Sequence, residues 1–271
     1  MTGSQEISGL AAGVPFVAVP PRGAAGPAPL IVLWHLMGAP GSPAAMASAL
    51  PLDDVPAWRV YLELPGTGSR ASVPDRERLV EWFTSTVGQA VDELPLAVDA
   101  LRRELPIAPG PVGLVGGSAG GWAALLALLH RRLPIAAAVL VNPAVRAESV
   151  VAVNERAGGF RHPWTPADRA GAPSLDGLRL LDADGAPETA VLILTGEHEY
   201  PEFVPDQEAL YRGLLNRPDG PRRAERQTLP GLAHMFAPEP GDQPHPQTPE
   251  ARRIDAAIAV WMGRHLLSDS G

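Results

Sequence analysis

Apolar residues along this chain fall in short blocks whose spacing alternates between two patterns. "PLIVLW" from Pro29 and "IAAAVLV" from Ile135 are unbroken apolar runs, as strands covered on both faces require. "VPFVAVPP" from Val14, whose prolines suit a sheet edge, and the partly alternating "WRVYLEL" from Trp58 read as further strands. "VGLV" from Val112, "AVLILT" from Ala190 and the more polar "RRAERQTL" from Arg222 complete the set. Helical spacing appears between them. It marks "AVDELPLAVDALRREL" from Ala90, with Pro95 at a first turn or a kink, and "GWAALLALLHRR" from Gly121, apolar on nearly all sides. "DQEALYRGLLNR" and the closing "PEARRIDAAIAVWMGRHLL" are two more helices. Strand alternating with helix predicts the α/β class: a mostly parallel central sheet with helices on both faces. The stretch 143–189 is polar, rich in Pro and Gly and weakly periodic, so it reads as a small cap inserted into one domain spanning 1–271.

Composition narrows the function. The chain is 45% apolar, enough for a large core, yet no apolar run is long enough for a bilayer. The opening "MTGSQEISGLAAGVP" lacks the basic start and apolar stretch of a secretory signal, which makes the cytoplasm the expected location. No cysteine is present, so thiolate nucleophiles and disulfides are excluded. All 22 basic residues are arginine, which excludes a Schiff-base or P-loop lysine. With net charge −8 and no basic cluster, nucleic acid is not an expected partner, and neither is a membrane. A small molecule is, while oligomeric state leaves no trace in the sequence.

The chemistry concentrates at "GGSAGG", Gly116 to Gly121, at the joint between a predicted strand and a predicted helix. The plain alternative is a tight turn with a capping serine. The sharper reading is the nucleophile elbow G-x-S-x-G, here Gly116-Gly117-Ser118-Ala119-Gly120. An elbow needs small flanking residues because strand and helix nearly touch there, and it holds the serine in a strained conformation. The Ala119 amide, at the helix N-terminus, then faces a developing oxyanion.

Such a serine needs a base and an orienting acid, in the chain order Ser, Asp or Glu, His. His234, in "LPGLAHMF" between the last strand and last helix, stands where the base belongs. His35, His130 and His265 read as structural or surface groups, His162 and His245 lie in Pro-rich loops, and His198 stands where an acid is wanted. For the acid, the loop "GEHEYPE" offers Glu199 first, then Glu202 and Glu197. A second oxyanion donor is expected from "HLMGAPG", as the amide of Met37 or Leu36. Leu36, Phe160 and Trp164 are candidates to line a substrate pocket.

With these parts in place the chain resembles the α/β-hydrolases over roughly residues 15–267. The match rests on the elbow at Ser118, the "TGEHE" and "GLAH" loops and the histidine-led early loop. That early loop commonly reads His-Gly plus a bulky residue in the family; Leu36 replaces the glycine here. "VLVNPAVRAE" from Val139 is also similar to a stretch of small bacterial carboxylesterases and thioesterases with a short cap. The resemblance implies hydrolysis of an ester or thioester substrate without metal or organic cofactor, with Ser118 as nucleophile, His234 as base and Glu199 as orienting acid. Two rivals remain open at this point: an idle scaffold that only binds, and acyl transfer or perhydrolysis by the same residues.

Overall fold

The computed structural model describes residues 6–23, 26–71, 76–185, 187–216 and 219–267. Eight strands form one sheet: β1 (Ile7–Ala11), β2 (Val14–Val19), β3 (Leu30–Trp34), β4 (Trp58–Leu62), β5 (Val112–Gly117), β6 (Ile135–Val141), β7 (Ala190–His198) and β8 (Ala224–Ala233). Their spatial order is β1-β2-β4-β3-β5-β6-β7-β8. The β1–β2 and β2–β4 pairs are antiparallel and all other pairs parallel.

The helices are α1 (Pro43–Ala49), α2 (Leu79–Glu104), α3 (Ala119–His130), α4 (Ala147–Gly158), α5 (Pro166–Gly171), α6 (Gly177–Asp184), α7 (Val204–Leu215), α8 (Gly220–Arg223) and α9 (Pro249–His265). The two-residue period of the strands divides them between two apolar layers. Val32 and Trp34 of β3, Leu114 of β5 and Leu140 of β6 pack with α2, α3 and α7. Ile31 and Leu33 of β3, Val115 of β5 and Val139 of β6 pack with α1 and α9. Both faces are covered, which is why the central strands are apolar without interruption.

The structure departs from the pattern of the sequence in a few places, each with a local cause. α2 begins at Leu79, and Pro95 lies in its interior rather than in its first turn. The loss of one backbone donor is tolerated because Leu94, Ala97 and Val98 beside it are buried. β1 carries no apolar signal because four of its five residues are exposed; it exists through pairing with β2 around Ala12-Gly13, both at positive φ. α1 opens with a Ser42 cap and Pro43 in its first turn. β7 runs on to His198, so Glu197 stands on a strand and only Glu199 begins the loop. The stretch 143–189 folds as α4, α5 and α6, which pack against α2, α3 and α7. Among the described residues no helix is long and apolar enough to cross a membrane.

Candidate active site

Ser118 lies between β5 and α3 with φ 50° and ψ −114°, a region that L-residues avoid. Three backbone hydrogen bonds hold it there. Its amide donates to Val141 at 3.0 Å, and its carbonyl accepts from Trp122 at 2.9 Å and Ala144 at 3.2 Å. The flanking glycines are required by close approach. A Cβ on Gly116 would lie 2.1 Å from the Gly120 carbonyl oxygen, and one on Gly120 would lie 2.5 Å from that of His35.

Opposite the serine, the loop after β8 presents His234, whose Nε2 is 2.9 Å from Ser118 Oγ. Its Nδ1 is 2.7 Å from Glu199 Oε1 in the loop after β7. Glu199 Oε1 also accepts from the Tyr200 amide at 2.6 Å, and its Oε2 lies 3.4 Å from Gln207 Nε2. Both His234 and Glu199 are buried. The Tyr200 ring stacks on the imidazole at 4.5 Å and 25°, and Phe203 leans on it at 5.3 Å. The Arg156 guanidinium lies 5.5 Å from the Tyr200 ring centre and pairs with Glu202 through two contacts.

The backbone that carries this triplet is tied together by Asn142, at the end of β6. Its Nδ2 donates to the carbonyls of Ala233 at 2.8 Å and His234 at 3.1 Å. Its Oδ1 accepts from the Gly196 amide at 2.7 Å. Asn142 is fully buried and has φ 44°, a conformation asparagine adopts more readily than most residues.

The early loop is fixed by His35, also fully buried. Its Nδ1 donates to the Leu36 carbonyl at 2.6 Å, so its Nε2 is the ring acceptor for the Leu64 amide at 3.1 Å. Burial lowers its pKa to about 4, partly countered by the bond to Leu36. The ring is therefore neutral near pH 7, with both nitrogens committed to holding the loop. The Leu36 amide is spent on the Pro40 carbonyl at 2.9 Å, whereas Met37 and Ala119 line a cavity of about 200 Å³ at Ser118. Among the described residues no group of three or more His, Asp or Glu is placed to hold a metal ion.

A model of the Alpha/beta hydrolase family matches residues 31–269. This chain belongs to that family. Among solved structures, the Thermus thermophilus protein TT1662 is 19% identical, with TM-score 0.65 over 96% of this hydrolase and 98% of that chain. An esterase from Pyrobaculum calidifontis is 19% identical, with TM-score 0.63 over 96% and 85% of the two chains. A puromycin-hydrolyzing peptidase from Mycobacterium tuberculosis is 20% identical with TM-score 0.69, but the hydrolase spans only 39% of its length. No curated protein matches the sequence.

Of the residues picked out by sequence, the hydrolase fold brings together Ser118, His234, Glu199, Ala119 and Met37. Of the rival acids, Glu202 pairs with Arg156 and Glu197 Oε2 accepts from the Gly231 amide at 2.7 Å. The three expected pocket residues lie elsewhere. The Leu36 side chain is buried under Gly117, where a Cβ would meet its Cδ1 at 2.3 Å. Trp164 packs edge-on to His162 and lines a separate cavity with Glu148 and Glu155. Phe160 covers Gly158 at the end of α4. The cavity at Ser118 is walled instead by Phe83, Val150, Val153, Asn154, Phe203 and Met235, with Ala144, Ala157 and Tyr200 beside them. Sequence reasoning missed this set and Asn142. An Asn-Pro pair closing an apolar strand was the one available signal for a turned, hydrogen-bonding asparagine.

Proposed function

We propose that this chain is a serine hydrolase that cleaves carboxylic esters or thioesters through an acyl-enzyme on Ser118. The observation that carries the reading is the unbroken hydrogen-bond chain from Glu199 through His234 to Ser118, at 2.7 and 2.9 Å. Ser118 Oγ attacks the acyl carbon while its proton passes to His234 Nε2. The carbonyl oxygen becomes an oxyanion facing the amides of Ala119 and Met37. As the bond from carbon to the leaving oxygen or sulfur breaks, Nε2 gives its proton to the leaving group. Water then attacks the acyl-enzyme and gives a proton to Nε2. The carbon–Oγ bond breaks, Oγ recovers the proton and the carboxylic acid departs. Glu199 accepts from Nδ1 throughout, which holds the tautomer that leaves Nε2 free to act as base.

A fluorophosphonate probe tests this directly. Labelling is expected on Ser118 of the wild type, absent in Ser118→Ala and slowed by about 10⁴-fold in His234→Ala. Glu199→Gln is expected to slow turnover by at least about 10²-fold, while Glu202→Gln stays near wild type. Folded protein that turns over esters without Ser118 would refute the assignment.

A further inference from the structure

Among the described residues, none that line the cavity beside Ser118 is Asp, Glu or Arg. Apart from Ser118 and His234, its polar side chains are Asn154 and Tyr200. Asn154 donates its Nδ2 to the Val150 carbonyl at 2.8 Å, so one of its two amide hydrogens is already committed. The cation near this site, Arg156, is held by Glu202 and covered on one side by the Tyr200 ring. The net charge of −8 adds a field that repels anions. Among the described lining residues no arginine stands ready to pair with a carboxylate brought inside.

The wall also has a defined depth. Val150, Val153, Asn154 and Ala157 fall at helical spacing on one face of α4. Val150 and Val153 are buried, Asn154 is half-buried and Ala157 is exposed, so the closed end lies towards the start of the helix. A volume of about 200 Å³ falls below the roughly 300–1,000 Å³ of pockets that take drug-sized ligands, and so suits a short acyl chain.

Building on the serine-hydrolase reading, we propose that the acyl group is short, apolar and uncharged, about hexanoyl-sized at most, and that Val150 and Val153 at the buried end of the α4 face bound its length. Each added methylene is worth up to about fourfold while it still finds apolar wall, and the gain ends when the cavity is full. Acids with a second, ionised carboxylate are disfavoured, because no described lining residue carries a permanent positive charge.

The test uses p-nitrophenyl esters on wild type, Val153→Phe and Val153→Ala, with Ser118 occupancy followed by fluorophosphonate labelling. In the wild type, kcat/KM is expected to rise from acetyl to butyryl or hexanoyl and to drop about tenfold or more by decanoyl. The 4-methylpentanoyl ester should exceed the hemisuccinate, which has as many non-hydrogen atoms, by at least about a hundredfold. Val153→Phe should shift the optimum towards acetyl and Val153→Ala towards longer chains, each read as the hexanoyl-to-acetyl ratio. If Ser118 is labelled but the ratios are flat, or the hemisuccinate is turned over equally well, the acyl-pocket assignment fails while the serine chemistry stands. An unlabelled Ser118 overturns both.

Discussion

Asn142 ties the base to the acid without touching either functional group, and replacing it tests how far the chemistry depends on that tie. Asn142→Gly removes all three side-chain hydrogen bonds, to Ala233, His234 and Gly196, while keeping a backbone suited to φ 44°. Each such bond contributes about 1 kcal/mol net, and more where a buried partner is left unsatisfied, so the loss is expected near 3 kcal/mol. In a chain of this size that corresponds to a fall in Tm of roughly 6–12 °C. Asn142→Ala adds the cost of a left-handed alanine, about 1 kcal/mol more. The kinetic effect has a separate origin. The carbonyl that accepts at 3.1 Å belongs to His234 itself, so releasing it loosens the imidazole relative to Ser118 Oγ. A displacement on the order of 1 Å is worth about a hundredfold in a reaction that depends on alignment.

The expected result, measured well below either Tm, is kcat reduced by about 10–100-fold with KM changed by less than about threefold, equally in both variants. The split between kcat and KM matters because a merely structural role would lower the folded fraction and leave the folded molecules fully active. Fluorophosphonate labelling rates should fall in parallel with kcat, since they report Ser118 activation without product release. If both variants lose stability yet keep kcat within about threefold, His234 is located by its own packing on Tyr200 and Phe203, and the clamp argument is wrong.

Two further outcomes follow from the same coordinates. The Tyr200 ring lies flat against the imidazole, so its face stabilises the imidazolium formed at each proton transfer. Tyr200→Leu should lower kcat by about 3–30-fold, while Tyr200→Phe stays within about threefold; equal losses in both would assign the effect to the hydroxyl instead. The second outcome concerns pH. Burial lowers the pKa of His35 to about 4, so the unfolded chain binds the proton first and stability falls as pH drops from about 6.5 towards 4. Burial raises the pKa of Asp255 to about 6, with Asp53 and Asp54 adding to the rise, so its folded carboxylate is a liability above that pH, relieved as pH falls towards 4. The two opposing slopes overlap between about pH 4 and 6. Asp255→Asn keeps an acceptor for the Leu52 amide, and discounted for partial exposure it should gain about 1–2 kcal/mol at pH 8. It should also lose stability on acidification more steeply than wild type by urea titration. A variant less stable at pH 8 would refute the sign.

The parts that could be read from sequence are those where one physical requirement dictates residue type along a whole segment. β3, β5, β6 and the first five residues of β7 are covered on both sides, so their positions are apolar or glycine and the runs are unmistakable. The elbow was legible because close approach leaves no room for a Cβ at Gly116 or Gly120. The acid was less so, because three glutamates share one short stretch and only its exit angle from β7 turns Glu199 towards His234. The pocket was misread because its identity depends on which face of α4 turns inward. Val150, Val153, Asn154 and Ala157 line the cavity, but the polar Asn154 among them and the intervening Glu155 and Arg156 blur the apolar period. The aromatic residues nearby, Phe160 and Trp164, looked like better wall material, yet Phe160 covers Gly158 and Trp164 lines a separate cavity.

The strained positions of this site are joined across the sheet. Ser118 ends β5 with φ 50°, and Asn142 ends β6 with φ 44°. The Ser118 amide bonds to the Val141 carbonyl on β6, and the Asn142 amide bonds to the Leu194 carbonyl on β7. The Asn142 side chain then reaches back to Gly196 on β7 and forward to Ala233 and His234 at the end of β8. A continuous series of hydrogen bonds therefore runs from Ser118 to His234 through the ends of four neighbouring strands. Backbone strain of about 1–3 kcal/mol at each turned residue persists only where the surroundings over-determine it, and here the sheet itself supplies the constraint. A base carried on a free loop would lose part of its alignment to loop motion. In this arrangement, moving His234 away from Ser118 requires breaking the Asn142 bonds that tie the end of β6 to the end of β8, and Asn142 is itself anchored to β7 at Gly196, so the alignment of the site inherits the rigidity of the core.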